Sequence, residues 1–298
     1  MPAKLTGLIA ATPTPFHADG SLNLDAVEPL AELLAKSGVA GVFIAGSTGE
    51  SHSLTVDERI ALTEMWSRVA PQHKLKHLVH VGHNCQLDAC RLAAHAAEVG
   101  ADAVSCAAPC YFKPATVEQL VDFCAPIAAA APSVPFYYYH IPMMTGVALP
   151  MADFLREGKR RMPTLAGMKY THNDLMQFQE VVRLEGGAFD VLFGHDEMLL
   201  AALALGARGA VGTTYNFAAP IYHEVIERYE AGDFEAARAA QARSVRMIRQ
   251  FGEFGFLAAT KQAMKLLGVD CGPVRPPLPN MDDTQKGIFA ALFAELNG

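Results

Sequence analysis

The sequence predicts an α/β fold, a (β/α)8 TIM barrel with a C-terminal helical extension. Three observations predict it. Eight short apolar, β-rich runs alternate with longer stretches whose apolar residues recur at three- and four-residue steps, the period of an amphipathic helix. The runs are apolar almost throughout, as parallel strands buried on both faces must be. No Gly-x-Gly-x-x-Gly fingerprint follows any of them, which favours closure into a barrel over an open dinucleotide-binding sheet.

In order, the expected strands are 8–11, 41–44, 78–82, 103–107, 136–140, 165–169, 191–194 and 210–212. Amphipathic stretches fall at 24–36, 56–69, 87–99, 117–129, 174–184 and 197–205. Strand followed by helix, repeated, requires parallel pairing with helical crossovers. Residues 213–298 are too many for one closing helix; 221–229, 234–251, 258–267 and 284–296 have helical period, and a Pro-rich loop at 272–279 precedes the last. We therefore expect one domain, with the barrel over 1–232 and the helical extension over 233–298. A chain of 298 residues suits a barrel of about 250 residues plus an appendage.

Composition narrows the function. An apolar share of 51% with 18% charged residues supports a large buried core. A net charge of -7, with no basic cluster carrying interleaved aromatics, excludes a nucleic-acid footprint. Any site for an anion must then be local. The six cysteines (Cys85, Cys90, Cys106, Cys110, Cys124, Cys271) are scattered in a chain that can build its own core, so no disulfide framework is expected. No apolar run approaches the roughly 20 residues that span a bilayer, and residues 1–11 are too short and poorly flanked for a signal peptide. The expected compartment is the cytoplasm, without membrane or nucleic-acid partners.

In a barrel, chemistry gathers where strands run into helices. Lys169 closes an apolar strand and precedes Thr-His-Asn-Asp, a helix-start cluster. At the barrel mouth, desolvation disfavours its ammonium, and a neutral amine can attack a keto carbon to form a Schiff base. From periodicity alone, the favoured reading is a strand-end lysine that snorkels to solvent. Tyr139 offers a phenol that can shuttle a proton, although three consecutive tyrosines also suit a core. Ser47 and Thr48 lie in Gly46-Ser47-Thr48-Gly49-Glu50-Ser51, a turn able to cradle a carboxylate. The same turn can simply lead into the helix cap at Thr55 and Glu58. Asp196 and Glu197 can bind sugar hydroxyls or merely complement a helix dipole. His77, His80 and His83, with Cys85, suggest a metal set. Strand alternation puts 77 and 83 on one face and 80 on the other, so no metal site is expected.

Together the strand ends resemble the N-acetylneuraminate lyase and dihydrodipicolinate synthase family of pyruvate-dependent aldolases. The motifs that carry the resemblance are Gly-Ser-Thr-Gly-Glu at 46–50, Tyr-His-Ile-Pro at 139–142, Gly-Met-Lys-Tyr-Thr at 167–171 and Gly-Thr-Thr-Tyr-Asn at 212–216. The resemblance spans residues 8–267. It implies an imine between Lys169 and the C2 keto group, with Ser47 and Thr48 holding the adjacent carboxylate. Tyr139 would take the proton from the C4 hydroxyl as the C3–C4 bond breaks. Tyr111 matches a family tyrosine inserted from a neighbouring subunit and linked to Tyr139 through Ser47, which implies a homotetramer of tight dimers. Neither metal nor organic cofactor is implied.

Within the family, the sequence resembles the sialic acid branch. Met144 stands where the synthases carry an arginine, and Gly194-x-Asp196-Glu197 resembles the element that binds the sialic acid glycerol tail. Thr171 and Thr213 match further sugar-contacting positions. The implied reaction is reversible cleavage of the open-chain keto sugar acid to N-acetylmannosamine and pyruvate. The alternatives are a 2-keto-3-deoxy sugar acid aldolase, which shares Lys169 and Tyr139, and a non-catalytic keto-acid-binding protein. His140, His195, Thr213 and Met143-Met144 depart from common family residues, and all are expected at the sugar end.

Overall fold

The computed structural model describes residues 4–297. Eight strands close a barrel in chain order: β1 (Gly7–Ala11), β2 (Gly41–Ile44), β3 (Lys76–His80), β4 (Ala103–Ala107), β5 (Phe136–His140), β6 (Leu165–Tyr170), β7 (Asp190–Phe193) and β8 (Gly209–Gly212). All pairs are parallel, and β8 closes onto β1 from Gly7↔Gly209 to Ala10↔Gly212. Alternation along each strand splits the core in two. Ile9, Phe43, Leu78, Tyr137, Leu192 and Val211 fill the barrel interior. Val42, Ile44, Val104, Met168 and their neighbours face outward against the helices. Two buried faces per strand explain why the apolar runs are nearly continuous.

Around the barrel lie α1 (Val27–Lys36), α2 (Val56–Val69), α3 (Gln86–Glu98), α4 (Val117–Ala130), α5 (Pro142–Thr145), α6 (Met151–Arg161), α7 (Leu175–Arg183), α8 (Leu199–Ala204) and α9 (Tyr215–Glu230). The stretch expected at 56–69 coincides with α2. A full capping box fixes its start, Thr55 Oγ1 accepting from the Glu58 amide and Glu58 accepting from the Thr55 amide. Such a cap contributes about 1 kcal/mol. The third strand begins two residues before the expected 78, because its register is set by Gly41↔Lys76 and the polar Lys76 and His77 disguise its start.

Between β5 and β6 no amphipathic stretch is among those expected, yet the structure has α5 and α6. The buried stripe of α6 is narrow, only Met151, Phe154, Leu155 and Gly158, and its other face carries Asp153, Arg156, Lys159, Arg160 and Arg161. Those four positions recur at three- and four-residue steps, so the helical period is present, but the dense charge around them masks it. Helix α9 starts six residues before the expected 221, because a non-helical break at Ala218 lets the helix pass through Pro220.

Beyond α9 come α10 (Phe234–Glu253), α11 (Phe256–Leu266) and α12 (Asp283–Asn297). Phe251 of α10 stacks on Phe217 of α9 at 4.7 Å and meets Phe289 of α12 edge-on at 4.9 Å. Burying one such phenyl ring contributes about 1.5–3 kcal/mol, so these aromatics fasten the extension to the barrel. At the N-terminal end of the barrel, the Tyr137 hydroxyl donates to Asp190 Oδ2 at 2.8 Å and the Leu5 amide donates to the same oxygen at 2.9 Å, which closes that face. No helix among the described residues is long and apolar enough to cross a membrane.

Candidate active site

Strand parity decides what reaches the opposite, open mouth. On β6, Met168 and Tyr170 point outward into the fully buried layer under the helices, so Lys169 points in. It pairs in register with Tyr139, which in turn pairs with Ala107. The lysine is 4% exposed. Its Nζ lies 4.1 Å from the centre of the Tyr139 ring and 4.2 Å from that of Phe43. Among the described residues it forms no ion pair within 4.0 Å. Tyr139 is fixed edge-on by Phe43 at 5.5 Å and by His80 at 5.7 Å. Its hydroxyl stands 3.5 Å from Ser47 Oγ.

The turn after β2 supplies the neighbouring wall. Both of its ends are non-glycine residues in the left-handed region, Ala45 at φ 52 and Glu50 at φ 54. Each such residue costs about 1–2 kcal/mol, so the conformation must be held from outside. His80 holds one end. Burial, with Arg59 close by, keeps its imidazole well below the ordinary histidine range, and Nδ1 lies 3.0 Å from the Ala45 carbonyl. The neutral ring donates there through Nδ1–H, which leaves Nε2 to accept the Ala107 amide at 3.4 Å. Between the ends, the backbone amides of Ser47 and Thr48 meet no protein acceptor among the described residues. Thr48 Oγ1 lies 2.7 Å from Thr213 Oγ1, joining this turn to the end of β8. The helix cap is Thr55, so the 46–51 turn is not itself the cap.

Two glycines shape the far rim by close approach. A Cβ on Gly194 would sit 1.9 Å from Thr171 Oγ1, and one on Gly212 would sit 1.9 Å from Asp196 Oδ1. Any side chain at either position would displace the polar group it faces. Asp196 is buried; its Oδ2 accepts from the Thr214 amide at 2.8 Å and the Thr214 hydroxyl at 2.6 Å. Burial pushes its carboxyl up to about 6, against the pull of those hydrogen bonds. For Glu197, burial raises the carboxyl, but the His195 hydrogen bond and a backbone amide outweigh it and leave it below the ordinary value. Its Oε1 lies 3.3 Å from His195 Nδ1. Gln241 of α10 steadies this rim, donating to the Asp196 carbonyl at 3.1 Å and accepting the Leu200 amide at 2.8 Å.

The structure thus gathers Lys169, Tyr139, Ser47, Thr48, Thr171, Gly194, Asp196, Glu197 and Thr213 around one mouth. Tyr111 does not join them within the chain. It is 77% exposed, edge-on to the equally open Phe112 at 4.9 Å. Met143 and Met144 on α5 are exposed as well. His140 corrects an expectation. With Tyr139 facing in, His140 must face out; it is fully buried against Tyr170 at 5.0 Å and His172 at 5.4 Å, away from the mouth, and burial pulls its imidazole down to about 3. The alternation of strand residues carried that signal.

The three histidines part company. His77 sits beside Asp102 and Ser67 at the start of β3, His80 lies inside the barrel, and His83 stands beyond the strand. His83, Cys85 and Asp88 bring their ligand atoms within 4.8 Å of one another where the loop after β3 enters α3, and these are the described residues that could hold a metal ion. Sequence reasoning missed Asp88 there, and behind the mouth it missed Gln241, Lys261 and Arg275, which come from the extension and support its loops.

Comparison with known proteins matches this arrangement over nearly the whole chain. The model of the "Dihydrodipicolinate synthetase family" matches residues 4–295. The N-acetylneuraminate lyase of Danio rerio is 41% identical over 279 residues, covering 92% of this chain and 91% of the relative. The solved structure of Proteus mirabilis N-acetylneuraminate lyase superposes with a TM-score of 0.96 at 41% identity, over 99% of both chains. A catalytic-lysine mutant of the Ruminococcus gnavus sialic acid aldolase superposes with a TM-score of 0.91 at 28% identity, over 98% of this chain and 96% of that one. A match in sequence as well as fold, running from one end of the barrel through its extension, means that the chain belongs to the dihydrodipicolinate synthetase family.

Proposed function

We propose that the chain is a Schiff-base aldolase that cleaves N-acetylneuraminate reversibly to N-acetylmannosamine and pyruvate. The observation that carries this reading is the pairing of Lys169 and Tyr139 side by side on β5 and β6, enclosed by aromatic rings at the open mouth. Relatives named N-acetylneuraminate lyase, and a sialic acid aldolase with a catalytic lysine, support it.

In this reading Lys169 Nζ attacks the C2 keto carbon and water leaves, giving an iminium ion. The rings of Phe43 and Tyr139 that flank the amine then flank this cation, a favourable cation–π arrangement. The amides and hydroxyls of Ser47 and Thr48 hold the adjacent carboxylate. Tyr139 gives its phenolic proton to the departing water, and the phenolate so formed accepts the C4 hydroxyl proton as the C3–C4 electron pair moves to the iminium and N-acetylmannosamine leaves as the aldehyde. The enamine takes a proton at C3 and is hydrolysed to pyruvate and free Lys169. The iminium is the electron sink, so the scheme gives no role to a metal or organic cofactor.

Thr171, Gly194, Asp196, Glu197 and Thr213 line the sugar end of the mouth in this scheme. Exposed Tyr111 and Phe112, with Met143 and Met144, support assembly into a homotetramer in which Tyr111 of one subunit reaches the Ser47–Tyr139 pair of another. Six free cysteines suit a reducing cytoplasm.

Condensation of pyruvate with a panel of aldehydes tests the substrate. N-acetylmannosamine is expected to exceed a short aldose such as glyceraldehyde in kcat/KM by at least about tenfold, because only the longer sugar engages Asp196 and Glu197. Preference for the short aldehyde would identify a 2-keto-3-deoxy sugar acid aldolase instead.

Asp196 makes the sugar end sensitive to pH. A carboxyl with its midpoint near 6 is ionised at pH 7.5 and mostly protonated at pH 5. Its capacity to accept sugar hydroxyls falls as pH drops through that midpoint. The KM for N-acetylneuraminate is expected to rise up to about tenfold between pH 7 and pH 5, since one unit below the midpoint roughly a tenth of the groups stay ionised. Asp196→Asn should flatten this profile. A parent KM already flat over that range would remove Asp196 from sugar binding.

A further inference from the structure

Glu50 closes the carboxylate turn, yet its side chain engages none of the mouth residues. The carboxylate is fully enclosed, with Oε1 2.7 Å from Lys261 Nζ on α11. Its other oxygen accepts the Arg275 amide at 2.8 Å. Lys261 is itself 3% exposed and donates to the Pro273 carbonyl at 2.7 Å, with its Nζ 4.2 Å from the centre of the Phe16 ring. The Arg275 guanidinium stacks on the same ring at 4.3 Å, donates to the carbonyls of Gly20 and Ser53, and pairs with Glu58. One buried ion pair and one arginine clamp thus fasten the extension to the turn.

Stability alone is a poor reason for such a pair, because apolar residues of similar volume usually fill a buried site at least as well. Its place in the turn supplies a better one. The strained conformation between Ala45 and Glu50 is pinned at one end by His80 and at the other by Lys261. The unpartnered amides of Ser47 and Thr48 lie between the pins. We infer that Glu50 and Lys261 are positioning residues, a buried pair through which the C-terminal extension holds Ser47 and Thr48 in the conformation that receives the keto-acid carboxylate. This rests on the proposed carboxylate-binding role of the turn. The effect falls on capture of pyruvate, before any C–C bond changes.

The test compares Lys261→Met, the double variant Lys261→Met/Glu50→Gln and Thr48→Ala in pyruvate condensation kinetics, with thermal melting alongside. Lys261→Met strands a buried carboxylate and should lower Tm; the double variant removes the stranded charge and should recover it. Both should raise the pyruvate KM by about tenfold while kcat stays within about threefold, a split that loss of fold does not produce. A double variant that recovers KM together with Tm would reduce the pair to a structural one and overturn the inference. If Lys261→Met does not fold, the double variant decides alone. Should it not fold either, Glu50→Asp, which keeps the charge and shortens the reach to Lys261, decides by the same KM shift. Thr48→Ala separates the two levels. An unchanged pyruvate KM there would remove the carboxylate role of the turn, and the inference with it. A raised KM in Thr48→Ala beside a parental KM in the double variant would overturn the positioning pair alone.

Discussion

Lys169→Ala is expected to abolish turnover, lowering kcat by at least about 10⁴-fold, while the barrel stays folded. The variant removes the amine that Schiff-base formation with a keto carbon requires. The fold should tolerate the change. Lys169 makes no ion pair among the described residues, and burying an ammonium costs free energy that alanine does not. Its loss forfeits the contacts with the Phe43 and Tyr139 rings. Steady-state cleavage assays with circular dichroism and thermal melting check both halves. Turnover within tenfold of the parent, in a folded protein, would move the nucleophile elsewhere.

Tyr139→Phe should separate imine formation from bond cleavage. Phenylalanine keeps the ring that packs against Phe43, His80 and Lys169, so the site keeps its shape and loses one hydroxyl. Loss of a positioned proton-transfer group typically costs about 10²–10⁴-fold. The expected kcat is therefore lower by that order, with pyruvate still trapped on Lys169 by borohydride. An unchanged kcat would place the proton shuttle on another group.

Much of this was legible in the sequence because barrels write their plan locally. Each strand must be apolar on both faces, each helix on one, and the period separates the two. The residues that end the strands then point to the mouth and make Lys169, Tyr139, Ser47 and Asp196 candidates there, while the roles given to them rest on the resemblance of four motifs taken together. His140 shows a local rule left unused, since its neighbour's inward orientation already forced it outward. Helix α6 escaped although Met151, Phe154, Leu155 and Gly158 recur at helical steps, because the charged residues that dominate the stretch make it read as a polar connection.

The contacts that hold the site in shape were not legible, for a different physical reason. Arg275 meets Glu50 across 225 residues of chain, and Gln241 meets Asp196 across 45. No spacing or periodicity marks such partners. Lys261 reads in the sequence as one more helix lysine. Only its burial, 3% exposed opposite an enclosed carboxylate, reveals the pairing. The extension thereby becomes part of the site's support rather than an appendage.

Borohydride trapping of the protein with pyruvate, followed by peptide mass mapping, tests the imine most directly. The expected result is a single reduced pyruvyl adduct on Lys169, absent in Lys169→Ala and retained in Tyr139→Phe. No adduct, or an adduct on another lysine, would contradict the mechanism at its central residue.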